Sequence, residues 1–350
     1  MELLQKTLSM IVDIDQTAAA EAQKRLDNLI KPRGSLGKLE TAAVQLAGIQ
    51  GKSIPELGRK LLVIMAADHG VAKEGVSAFS SGASPKMIMN FMHQGAAVNV
   101  LANYTQTRLL LVDVGLAGEP VNHPYLCVRR IRPGSGNICR EPAMTKLEAI
   151  AAVETGIELI NQEIDAGISL VATGELGIAN TTSSTAILAC LSQAAVEDIT
   201  GRGTGLDDAA LYKKQQIICQ ALAINRPNPN DPLDVLSKVG GLEIAALTGV
   251  ILVCAARRVS VVLDGFVSGA AALLACRMNP LCRHYMIAAH LSEEPGHKVI
   301  LQELGLSPLL DFGLRIGEGT GAVLAIPIIE AAVKIINEMA TFSEAGISQQ

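Results

Sequence analysis

The sequence predicts an α/β protein: a doubly wound parallel sheet with helices on both faces, plus a small helical lobe built from the N- and C-terminal segments. Three observations carry this. Apolar runs of strand length recur along the chain. Most are followed by a Gly, Asp or His cluster and then an Ala-rich helical stretch. The runs are apolar at successive positions, as strands covered on both faces require.

In chain order, residues 1 to about 55 read as polar helix. The predicted strands are Leu61–Ala66, Arg108–Val114, Ile168–Thr173, Val259–Asp264 and Tyr285–Ala289. Between the third and fourth, Asn225-Arg226-Pro227-Asn228-Pro229-Asn230-Asp231-Pro232 is a loop, because its prolines and asparagines oppose both helix and central strand. From Gly321 to about Ala340 the chain reads as one long apolar helix. The expected division is 1–55 as the N-terminal part of a small helical domain, 56–320 as a large Rossmann-like α/β domain, and 321–350 as a helix rejoining the small domain.

With 49% apolar residues in 350, the chain can bury a sizeable core. A net charge of -5 lacks the basic field that nucleic acid requires, so no nucleic-acid partner is expected. Seven scattered cysteines without a C-x-x-C pair read as reduced packing residues rather than disulfides or zinc ligands. Met1-Glu2 opens the chain without a basic or apolar leader, and the apolar run at Ala245–Ala256 ends at Arg257-Arg258 after about 12 residues. A cytoplasmic protein with no membrane partner is expected.

Ligands of doubly wound sheets collect at the carboxyl ends of the strands. There, Val171-Ala172-Thr173-Gly174-Glu175-Leu176-Gly177-Ile178-Ala179-Asn180-Thr181 runs from a strand through a glycine turn into a hydroxyl-rich helix start. Backbone N–H groups at such a helix start cradle phosphate; the structural alternative is an ordinary turn capped by Thr and Ser. Glu175 is harder to explain as structure, since an unpaired buried carboxylate is costly.

A second glycine stretch, Gly201 to Gly205, precedes Lys213 and Lys214 by roughly two helical turns, placing a lysine within reach of a phosphate. The bland reading is a surface loop with solvated lysines. A third, Gly313-Leu314-Arg315-Ile316-Gly317-Glu318-Gly319-Thr320-Gly321-Ala322, fits the dinucleotide fingerprint superficially. No strand of β-branched residues leads into it, and a terminal apolar helix follows. Its glycines instead allow close approach of a ligand to Glu318, as a general base needs, unless Glu318 is only a helix-start acid. Asp68, Asp113 and Asp264 end strands and are expected around one cleft, or as caps. His69, His290 and His297 lack metal-ligand spacing, so no metal is expected.

These segments resemble the nicotinate-nucleotide:dimethylbenzimidazole phosphoribosyltransferase family over nearly the whole chain. The resemblance rests on Lys31-Pro32-Arg33-Gly34-Ser35-Leu36-Gly37, Ala67-Asp68-His69-Gly70-Val71, Gly174-Glu175-Leu176-Gly177, Asp234-Val235-Leu236-Ser237-Lys238-Val239-Gly240-Gly241, Leu263-Asp264-Gly265-Phe266 and Arg315-Ile316-Gly317-Glu318-Gly319. It implies transfer of phosphoribosyl from nicotinate mononucleotide to the aromatic lower ligand of a cobamide, without metal or separate cofactor, in a homodimer or a heterodimer with a homologous subunit.

By the same resemblance, Glu318 is the general base, and Glu175 is a second active-site glutamate whose charge stabilises an oxocarbenium-like ribose. Gly177, Ile178, Asn180, Thr181, Gly203 and Lys214 hold the 5′-phosphate, and Ser292 touches ribose or nicotinate. The chain departs from many relatives after Phe79, where Ser80, Ser81 and Met87 stand near the acceptor. That leaves the acceptor open between dimethylbenzimidazole and a phenol such as p-cresol. The alternatives are a nicotinamide-dependent oxidoreductase, whose fingerprint would sit at the wrong end of the chain, and a non-catalytic subunit, which would be expected to lack one of the two glutamates.

Overall fold

The computed structural model describes residues 1–79 and 83–346. Six strands form one wholly parallel sheet: β1 (Arg59–Ala67), β2 (Arg108–Gly115), β3 (Leu126–Val128), β4 (Ile168–Leu176), β5 (Ser260–Leu263) and β6 (Met286–Ala288), in the spatial order β3-β2-β1-β4-β5-β6. The order reverses between β1 and β4, and a crevice opens at the carboxyl ends of strands where that happens. Two further strands, β7 (His290–Ser292) and β8 (Leu310–Leu314), make a separate parallel pair.

Side-chain alternation along β1 explains why helices cover both faces. Leu61, Val63 and Met65 join one core cluster, while Leu62, Ile64 and Ala66 join another. The first is closed mainly by α6 (Lys146–Asp165), α7 (Asn180–Ser192), α11 (Leu242–Ala256) and α12 (Phe266–Met278). The second is closed by α4 (Ser84–Met92), α5 (Ala97–Tyr104) and α14 (Thr320–Glu338). Helices α1 (Glu2–Met10), α2 (Gln16–Asn28) and α3 (Lys38–Gln50) fill the N-terminal segment. A third apolar cluster unites Leu26 of α2, Ala43 of α3 and Ile336 of α14. Helix α14 is long and apolar enough to cross a bilayer, but it is the core helix of the second cluster, and over half of it is buried.

The remaining helices are α8 (Val196–Ile199), α9 (Asp208–Asn225), α10 (Pro232–Val239) and α13 (Pro295–Leu304). Residues 226–231 of the proline-asparagine segment connect α9 to α10 as a loop, while Asn225 ends α9 and Pro232 opens α10. All five expected strands are present. The short strand β3 escapes a reading by apolar run because it spans three residues. Strand β8 runs into the third glycine stretch; it holds no β-branched residue, as the sequence reading had it, and it lies outside the main sheet with its central residues exposed.

Candidate active site

A cleft of about 730 Å³ opens beyond the carboxyl ends of β4 and β5. The three glycine segments converge on it: Glu175–Thr181 runs from the end of β4 into α7, Gly203 and Thr204 belong to the loop before α9, and Gly313–Glu318 runs from the end of β8 towards α14. Ser292, Met87 and Phe79 complete much of the remaining wall. Ser80 and Ser81 lie outside the described residues.

Helix α7 begins at the cleft without any capping side chain, and Ala179 at its start adopts φ 73°. The Thr and Ser residues of its first turn therefore do not cap it, and the first N–H groups stay free of side-chain acceptors, as an anion cradle requires. Lys214 is not among the lining residues. It is fully buried behind the cradle, donating to Thr181 Oγ1 at 2.8 Å and to the Gly201 carbonyl at 3.0 Å. Lys214 Nζ thus bonds to α7 and to the loop before α9 rather than lining the cleft.

Glu175 is buried and accepts a hydrogen bond from Asn180 Nδ2. Burial, followed by the charges of Glu243, Asp264 and Glu318, pushes its carboxyl up to about 8. Glu318 is half-buried on the opposite loop, with its backbone held at φ 65°. Burial and the nearby Asp264 charge push it up to about 7. Two acids of raised pKa in one cleft are the pattern of a proton-transfer site.

Asp264 explains why Glu318 stands where it does. Its two oxygens accept the N–H groups of Gly319 and Ala322, both at 3.0 Å, so a side chain from the end of β5 caps α14 and fixes the residue just before it. Of the three strand-end acids expected around the cleft, none lines it. Asp68 accepts from Ser84 Oγ and from the Ala117 N–H, anchoring the start of α4. Asp113 is bound by Arg130, with Nη2 at 2.7 Å, and by the Leu116 N–H. Strand-end carboxylates served here as backbone acceptors.

Below the cradle, His69 joins two elements: Nε2 lies 2.6 Å from Glu243 Oε1 and Nδ1 lies 3.0 Å from Ser183 Oγ on α7. His297 accepts the Ser292 N–H at 3.0 Å, and burial pushes its imidazole down to about 3, so it is a neutral acceptor that orients Ser292. Among the described residues, no group of three His, Cys, Asp or Glu side chains is arranged to hold a metal.

The sequence reading overlooked Glu294, weighed His290 only as a metal ligand, and gave Phe266 and Arg315 no role of their own, yet all four line the cleft. Glu294 had one available signal: it directly precedes the proline that opens α13. Nothing local distinguishes Phe266 from a core residue.

The model of a phosphoribosyltransferase family matches residues 11–347. A nicotinate-nucleotide–dimethylbenzimidazole phosphoribosyltransferase of Desulforamulus reducens is 53% identical over 350 residues, covering 100% of both chains. One of Chloroflexus aggregans is 50% identical over 350 residues, covering 100% of this chain and 99% of the relative. The crystal structure of CobT from Thermus thermophilus is similar at a TM-score of 0.92 and 45% identity, covering 95% of this chain and 100% of that one. With full-length relatives at half identity and the same glycine segments gathered on one cleft, the chain belongs to the nicotinate-nucleotide–dimethylbenzimidazole phosphoribosyltransferase family.

Proposed function

We propose that the protein transfers the 5-phosphoribosyl group of nicotinate mononucleotide to dimethylbenzimidazole, giving an α-glycosidic ribotide and nicotinate. The observation that carries this reading is the pairing of Glu175 and Glu318, both raised in pKa, in one cleft with the uncapped start of α7. The cradle from Gly177 through Ile178 and Asn180 to Thr181 takes the 5′-phosphate, with the Gly203 loop beside it; Lys214 supports it through Thr181. Ser292, oriented by His297, faces the ribose or nicotinate. Val76, Phe79, Met87 and Phe266 offer an apolar wall to a flat aromatic acceptor.

In the transfer, an acceptor nitrogen bonds to C1′ as the bond from C1′ to the pyridinium nitrogen breaks. The released electron pair neutralises the ring, and nicotinate departs from the opposite face, inverting β to α. Glu318, with a pKa near the working pH, takes the proton from the other azole nitrogen. Glu175 supplies the negative charge that stabilises the oxocarbenium-like ribose. Burial and the charges of Glu243, Asp264 and Glu318 push its carboxyl up to about 8, and the cationic pyridinium of the substrate favours its ionised form. Charge then appears where the ribose becomes cationic.

The test is a product assay with nicotinate mononucleotide and either dimethylbenzimidazole or phenol, reading nicotinate and the new glycoside by mass spectrometry. An N-glycoside from dimethylbenzimidazole is expected. An O-glycoside formed in preference would reassign the acceptor to a phenol, and absence of nicotinate release with both would overturn the reaction.

A further inference from the structure

Two buried ionisable side chains grip the loop of residues 201–205 from either side, and only one of them is accounted for above. Lys214 Nζ donates to the Gly201 carbonyl at 3.0 Å. Glu294 Oε1 accepts the Gly203 N–H at 2.8 Å, taking a donor that a phosphate would otherwise use. Lys214 is 0% exposed and Glu294 8%. The second oxygen of Glu294 is buried without a hydrogen-bond partner, packed where a Cβ on Gly201 would overlap it. A buried carboxylate beside an anion cradle opposes the ligand and is costly unless a cation compensates it. The cation bonded to the same loop is Lys214.

We propose that Glu294 is a positioning residue: its carboxylate is the counter-charge that keeps the buried Lys214 ammonium charged and sets the Gly201–Gly205 loop to receive a phosphate monoester. The ligand class rests on the phosphate reading of that loop given above; the charge relationship does not.

The surroundings of Lys214 leave Glu294 in this role. Helix α9 packs on α7, α8 and α10. Helix α7 carries no Asp, Glu, Lys or Arg, and its Cys190 is directed at the Pro227 carbonyl. On α8, Glu197 and Asp198 are exposed; on α10, Asp234 and Lys238 pair with each other at 2.9 Å. Arg202 of the loop pairs with Asp208, Asp207 caps α9, and Lys213 is exposed. Burial pulls the Lys214 amine down to about 8, and the Glu294 charge is what opposes that fall. Without the carboxylate the amine falls further, so the ammonium is lost at a lower pH.

The deciding measurement is the titration of Lys214 by NMR of 13C-lysine-labelled full-length protein, its signal assigned by loss in Lys214→Arg. Glu294→Gln keeps an acceptor for Gly203 and removes the charge. Its Lys214 midpoint should fall by at least about one pH unit, while Glu294→Asp stays nearer the wild type. In parallel, KM for nicotinate mononucleotide in Glu294→Gln should match the wild type at pH 6 and exceed it at least about fivefold at pH 8, with kcat changed less. An unmoved midpoint in Glu294→Gln overturns the proposal, as does a Lys214 already neutral at pH 7 in the wild type, which is readable even if the Gln variant fails to fold. A wild type that titrates as expected but releases no nicotinate overturns the proposed reaction and leaves the charge pair standing.

Discussion

Gly317 packs its Cα against the Glu175 carboxylate so closely that a Cβ added there would stand 2.5 Å from Oε1. The contact joins two of the three glycine segments, and Gly317 also holds φ 75°, a conformation that side chains disfavour. Gly317→Ala should therefore cost about 1–3 kcal/mol of stability through backbone strain. It should lower kcat about a hundredfold by displacing Glu175. Denaturant unfolding and steady-state kinetics check both, and an Ala variant with wild-type kcat would show that the contact has no part in turnover.

Glu318→Gln keeps the shape of the base and removes its proton affinity. Turnover should fall about 10²- to 10⁴-fold. Isothermal titration should find nicotinate mononucleotide binding within a few-fold of wild type. In the wild type, kcat should rise with pH through about 7, because the base must be ionised to act and burial has pushed Glu318 to that value. A wild-type profile flat from pH 5.5 to 8 would remove Glu318 from the proton transfer.

Glu175 predicts a pH effect on stability with a definite sign. Its folded carboxyl is raised to about 8 from an ordinary value of 4.5, so the folded state holds a proton that the unfolded chain releases. The stabilisation this gives is fully present below about 4.5 and is lost as pH climbs towards 8. Glu175→Gln, a neutral isostere, should flatten the decline of Tm between pH 5.5 and 8.5, as calorimetry would read. Equal slopes in the two proteins would mean that Glu175 is ionised in the fold.

His69 bridges Glu243 to Ser183, and its removal would strand a fully buried carboxylate. His69→Ala should cost about 3–5 kcal/mol. The double variant with Glu243→Gln should recover part of that loss, since the stranded charge is gone, and chemical denaturation of the four proteins closes the cycle. Strictly additive losses would indicate that the two residues act separately.

Much of the fold was legible because its signals are local. The apolar runs of β1, β2 and β4 mark buried strands whatever surrounds them, and Gly-rich turns after strands mark where ligands collect. The pairing of β7 with β8 was not legible, because its short strands lie outside the main sheet and β8 keeps its central residues exposed. The strand-end acids were read either as a group around one cleft or as caps, and Asp113 and Asp68 take the second course as acceptors for neighbouring backbone and side chains, a choice that only their three-dimensional neighbours reveal.

By itself, the sequence determined the parallel α/β class, the three glycine segments and the two glutamates, since periodicity, turn chemistry and a carboxylate in apolar company are all written within a few consecutive residues. Tertiary structure decided what surrounds those groups. Lys214 sits behind the cradle, Glu294 reaches the Gly203 N–H from 91 positions away, and Glu175 gathers the fields of Glu243, Asp264 and Glu318. Desolvation and Coulomb repulsion depend on distance in space, and the chain brings these charges together only when the sheet has closed.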